Sequence, residues 1–143
     1  MPSVFSRILA GELPAHFVWQ DDRCAAFLSI NPLQVGHTLV VPRDEIDHWL
    51  DVPAELNAHM LGVAQAIGRA QMAAFRPVKV GLMVAGLEVP HTHYHVVPIH
   101  RLADLDFANA AAGVPQADLA SACERLRAAL RAVDGVDLDA IPA

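Results

Sequence analysis

The chain has 143 residues, 54% of them hydrophobic and 18% charged, and a formal net charge of −6. That length supports one domain with its own core, and the composition is that of a globular rather than a disordered protein. A single lysine, Lys79, and the negative balance exclude a duplex-binding face, which needs clustered cations, and no apolar run reaches the roughly 18 residues that span a bilayer.

The opening stretch, MPSVFSRILAGELP, has no basic flank ahead of a long apolar segment, so the expected compartment is the cytoplasm, with no membrane partner. Cys24 and Cys123 are expected as buried free thiols. A small nucleotide is still admitted, because backbone donors, neutral imidazoles and an apolar slot hold one without a basic face. With no repeats and no low-complexity linker, residues 1–143 are read as one domain.

Ser3 is placed to cap a short helix over Val4 to Ala10, with Val4, Phe5, Ile8 and Leu9 apolar and Gly11 as its stop. HFVWQ (16–20) and RCAAFLSI (23–30) read as two strands joined at Asp21-Asp22, and HTLVVPR (37–43) as a third after Gly36. From Asp51 and Pro53 a long helix follows, with Leu56, Met60, Val63, Ile67, Ala70 and Ala74 as one stripe, closed by Pro77. KVGLMVAG (79–86) and HTHYHVVPI (91–99) are the last two strands. A helix over Gln116 to Val133 buries Leu119, Cys123, Leu126, Leu130 and Val133. The order predicts an α+β fold, a five-stranded mainly antiparallel sheet carrying a short N-terminal helix, one long central helix and a C-terminal helix.

On an extended strand, His91, His93 and His95 project from one side, and Thr92, Tyr94 and Val96 from the other. Three readings of that row stay open. Half-exposed histidines on a solvated sheet face are the plainest. A metal would need nitrogens at about 2.0 to 2.1 Å from one ion, whereas His91 and His95 start roughly 13 Å apart, so a pair such as His91 and His93 could share it, and all three only if the strand bent sharply. A catalytic row uses the spacing better: a central imidazole attacks phosphorus while its neighbours, roughly 6.6 to 6.8 Å away on either side, contact the oxygens.

HTHYHVV resembles the His-x-His-x-His signature of the histidine triad family, and VFSRILAGELPAHFVWQDDRCAAFLSINPLQVGHTLVVPR resembles that family's opening helix, first hairpin and Gly-His strand. The resemblance covers about residues 3 to 100. It implies cleavage of a purine nucleotide or other nucleoside phosphate at the α-phosphorus, through a nucleotidyl-histidine intermediate and without a cofactor or catalytic metal. His93 would be the nucleophile, His95 a phosphate contact and proton donor, His91 part of the supporting network, and His37 the fourth histidine that braces it. Phe5, Ile8, Phe27 and Ile30 would line the base and ribose pocket, and a homodimer is expected by analogy.

The chain also departs from the pattern. Ser3 and Ser6 stand where many bacterial relatives carry a zinc-binding Cys-x-x-Cys, so no zinc is expected there. Ser29 replaces an aspartate that commonly binds the ribose, with Asn31 as a second candidate. Before the triad, VAGLEVPH places Glu88 where a hydroxyl residue usually touches the phosphate. A carboxylate there either turns away into solvent, pairs with a histidine, or selects an amine-bearing leaving group, while Gly86 would let a backbone N–H approach. The competing functions are a metal-dependent hydrolase using His91 and His93, and a nucleotide-binding module with little turnover.

Overall fold

Five strands form one antiparallel sheet in the computed structural model, which describes all of residues 1–143. In chain order the elements are α1 (Val4–Leu9), β1 (Phe17–Gln20), β2 (Cys24–Leu28), β3 (Thr38–Pro42), α2 (Ala54–Phe75), β4 (Lys79–Met83), β5 (Tyr94–Ile99) and α3 (Gln116–Arg131), with four short 3₁₀ turns between and after them. The strand order β1-β2-β3-β5-β4 makes a meander of the first three, and β5 returns to lie beside β3. The α+β expectation holds, and no helix is long and apolar enough to cross a membrane.

Local chemistry explains most of these elements. Ser3 caps α1 by accepting the Ser6 N–H at 3.0 Å. At the first hairpin, Asp21 Oδ1 accepts the N–H groups of Arg23 and Cys24, both at 2.8 Å, an Asx turn. Its Oδ2 takes Trp19 Nε1 at 2.8 Å and His59 Nε2 at 2.6 Å. His59 therefore ties the hairpin to α2, although nothing near it in sequence marks a partner.

The α2 stripe of Met60, Val63, Ile67 and Ala70 is buried as its spacing predicts, and α3 buries Leu119, Cys123, Leu126 and Leu130. Both helices cover one face of the sheet, over Val18, Ala26, Val40, Tyr94 and Val96, and both cysteines are free and buried. On the opposite face Phe5 of α1 packs with Phe27, Leu39 and Val41. The register Phe17↔Phe27↔Leu39↔His95 sets these side chains in one row, because directly opposed residues share a face. His95 thus lies in the same row as these apolar side chains, with Met83 of β4 as its neighbour on the other side.

Two strand limits differ from expectation. β5 starts at Tyr94 rather than His91, because residues 91–93 bond elsewhere: the His91 N–H turns back to Val89 O at 2.8 Å, and the Thr92 N–H reaches Ile46 O at 2.7 Å. β4 ends at Met83, short of Gly86, where its pairing with His95 closes the ladder. A further device lies inside α2, where the buried Gln71 amide donates to Gly36 O and Val96 O, each at 2.9 Å. A glutamine in an apolar stripe carries no sign of such a bridge.

Candidate active site

Hydrogen bonds fix the protonation pattern of all four histidines brought together here. Carbonyls only accept and amides only donate, so each ring can be assigned in turn. The Leu33 N–H donates to His37 Nδ1 at 3.0 Å, which places the His37 proton on Nε2. That N–H donates to His95 Nδ1 at 2.9 Å, leaving His95 with its proton on Nε2. His93 Nδ1–H donates to the His91 carbonyl at 2.7 Å, so the His93 lone pair lies on Nε2. His91 Nε2–H donates to Pro42 O at 2.8 Å, and its Nδ1 accepts from the Ser3 hydroxyl at 2.8 Å.

The result is a lone pair on His93 beside an N–H on His95, with ring centroids 4.8 Å apart. Phe5 stands edge-on to His93 at 4.9 Å and Phe107 to His95 at 5.1 Å. All four rings are buried, His91 completely. Burial, the largest cause, pushes the His37 imidazole down to about 4 and His95 down to about 3, with neighbouring imidazoles adding to it. His91 and His93 are also lowered, again first by burial; the Glu88 charge opposes this at His93.

Stability inherits this pattern with a definite sign. Unfolded histidines take up protons near 6.5, whereas native His37 stays neutral to about 4 and His95 to about 3. The unfolded chain therefore gains protons first as the pH falls. Stability should be fully present above pH 6.5 and decline toward pH 4, by about 1.4 kcal/mol per pH unit for each histidine that stays neutral. Urea midpoints at pH 7, 6 and 5 check this, and a midpoint that does not fall would contradict it.

Beside the rings opens a cavity of about 910 Å³. His37, His93 and His95 form one part of its wall, and Phe5, Ile8 and Phe27 an apolar part. Ser29, Ile30, Asn31 and Glu88 border it as well. Ser29 Oγ accepts the Asn31 N–H at 3.2 Å, which leaves the Ser29 hydroxyl proton free. Ile30 is 63% exposed, so it forms a rim rather than a floor. Glu88 is exposed, with no hydrogen-bond partner.

Two expected residues stand apart from this wall. His91 lies behind it, buried and fully bonded. Gly86 packs near the Asp47 carbonyl instead of the cavity, because the loop after β4 turns there with φ +77°. His100 is exposed outside the cavity, and Arg101 pairs with Asp104 at 3.6 Å. Conversely, several cavity residues carry no signal in the sequence. His16 bonds Gln116 Oε1 at 2.9 Å on the wall, and Phe107 and Ala110 to Ala112 close one side from the segment before α3. None belongs to a motif; tertiary folding alone brings them in.

Ser3 and Ser6 form a cluster with Glu45 and His91. Glu45 Oε1 accepts the Ser3 N–H at 2.5 Å and the Ser6 hydroxyl at 2.7 Å. The donor set does not fit a structural zinc, since hydroxyls are poor ligands and His91 Nδ1 already accepts a hydrogen bond from the Ser3 hydroxyl. The same bond leaves a His91–His93 metal pair without its first lone pair. Three ligating side chains converge elsewhere, at Asp21, Cys24 and His59, where burial pushes the Cys24 thiol far up and keeps it protonated. Ser3→Ala removes both the α1 cap and the donor to His91, and should cost about 2 kcal/mol in urea unfolding. A loss below about 0.5 kcal/mol would mean that the Ser6 hydroxyl, 3.5 Å from the same nitrogen, takes over.

The HIT domain model matches residues 10–102. An uncharacterised HIT-like protein of Borreliella burgdorferi is 38% identical over 102 residues, which is 66% of this chain and 73% of its own. The adenylylsulfatase HINT3 of Arabidopsis thaliana is 32% identical over 100 residues, covering 66% of this chain and 51% of its own. Among solved structures, a zinc-bound histidine triad family protein from Mycobacterium smegmatis superposes with a TM-score of 0.79 at 29% identity, over 94% of this chain and 96% of that one.

Proposed function

Because the chain belongs to the HIT domain family, we propose that it is a nucleotide hydrolase or nucleotidyl transferase. It acts at the α-phosphate of a nucleoside phosphoramidate or a (di)nucleoside polyphosphate. The observation that carries this is the free lone pair on His93 Nε2, held at the cavity wall next to the free Nε2–H of His95. One ring is arranged to attack phosphorus and the other to donate to its oxygens. An adenylylsulfatase among the relatives fits a nucleotidyl donor.

The base lies among Phe5, Ile8 and Phe27, with Ile30 at the rim. Ser29 and Asn31 face the ribose. His93 Nε2 then bonds to phosphorus in line, and the bond to the leaving atom breaks with its electron pair going to that atom. The ring becomes positively charged and keeps its Nδ1–H on the His91 carbonyl, which stabilises that charge. Water attacks the nucleotidyl-His93 next, the N–P electron pair returns to Nε2, and the proton of the water passes to solvent.

His95 acts as a hydrogen-bond donor throughout. Giving up its Nε2 proton would leave an imidazolate, because its Nδ1 only receives a bond from His37. An amine leaving group therefore departs as the neutral amine from a nitrogen protonated beforehand. Burial keeps His93 neutral at pH 7, as a nucleophile requires. Acid-free rapid quenching of the native protein with an adenosine phosphoramidate, followed by peptide mass mapping, should find adenylyl on His93. Turnover with label on another residue, or with no adduct under single-turnover conditions, would overturn the mechanism.

A further inference from the structure

Charge is distributed unevenly around the cavity. No lysine or arginine lines it, and Glu88 is its only carboxylate. Glu88 borders the same cavity as His93 and His95, in the loop that leads into His91, and its charge acts on the His93 ring. Sites that expel an anionic phosphate leaving group normally supply cations to neutralise it. Here the nearby imidazoles are neutral, and the one formal charge has the opposite sign.

We propose that Glu88 makes this site favour nucleotidyl donors whose leaving group carries an ammonium of its own, the phosphoramidates of diamines, over donors with an uncharged leaving group and, above all, over anhydrides whose leaving group is an anion. The inference rests on the nucleotidyl-transfer reading above and narrows its substrate class. A P–N bond breaks once the nitrogen is protonated: His93 takes the phosphorus, the P–N electron pair stays on nitrogen, and a neutral amine leaves. Glu88 stabilises that protonated nitrogen, and any further ammonium on the same amine. An anhydride sends its electron pair to an oxygen that departs as an anion beside a carboxylate, with no cation to offset it. Glu88 is thus a specificity-determining residue, and its exposure leaves it free to meet a leaving group that projects toward solvent.

The test compares kcat/KM for three adenylyl donors: an aminoethyl amide, a propyl amide of the same length, and adenylyl sulfate. The native protein should favour the cationic amide over the neutral one by about two- to fivefold, the worth of one solvent-screened ion pair, and this should shrink with added salt. Adenylyl sulfate should be the poorest. In Glu88→Gln the cationic-to-neutral ratio should approach one, and in Glu88→Lys it should invert while adenylyl sulfate gains. Equal ratios in the native protein and both variants would overturn the selection by Glu88 and leave nucleotidyl transfer standing. No turnover of any donor by the native protein would overturn both.

Discussion

His93→Ala should lower kcat on an adenosine phosphoramidate by at least about 10⁴-fold, because the proposed covalent route loses its only nucleophile and no other ring can take its place. His91 has both nitrogens engaged, His37 points its proton at His95, and His95 presents an N–H rather than a lone pair. The affinity for adenosine monophosphate should change by less than about threefold, since the base and ribose contacts are made by other residues and one uniform phosphate contact is worth little more. Titration calorimetry on the variant, beside single-turnover kinetics, reads both quantities. Retention of turnover within tenfold of the native rate would place the nucleophile elsewhere. Native protein that binds the nucleotide but never turns over would instead favour a binding module.

The parts of this arrangement that depend on neighbours in sequence were legible, and those that depend on folding were not. The α1 cap at Ser3, the turn at Asp21 and the α2 stripe follow from side chains that act within a few residues of themselves. The common face of His93 and His95 also follows from alternation, with Tyr94 and Val96 sent into the opposite core. Tautomers are another matter. The state of His95 depends on the amide of Leu33, two hydrogen bonds away and 62 positions earlier in the chain. Likewise His91 depends on Ser3 and on Pro42, partners that only the closed fold supplies. Ser3 was readable as a cap; its hydroxyl proton serving a histidine at the far end of the sheet was not. Glu88 shows the same limit from the other side, for its charge was evident in the sequence while the absence of lysine and arginine from the wall it shares required the cavity.

Gly36→Ala should be the most damaging substitution of a single small group, at about 3 kcal/mol in urea unfolding, and it should reduce activity in the molecules that remain folded. Gly36 has φ +91°, where a side chain is strained, and a Cβ there would lie 2.3 Å from Cε2 of Phe75. Phe75 cannot easily swing aside, because it ends α2 and the Arg125 guanidinium stacks 4.6 Å above its ring. Nor can the backbone at Gly36 give way without loss. Its carbonyl accepts both the Gln71 amide at 2.9 Å and the Thr38 hydroxyl at 2.8 Å, and a shift would leave the Gln71 N–H buried with fewer partners. The next residue is His37, so any displacement reaches the bond that sets the tautomer of His95. Gly113→Ala provides the matched control: it too has positive φ, 68°, but nothing lies within 4 Å of its Cβ, so it should cost only the backbone strain of about 1 kcal/mol. Equal losses at the two glycines would mean that Phe75 yields freely, and that packing beneath His37 does not hold the histidine row in place.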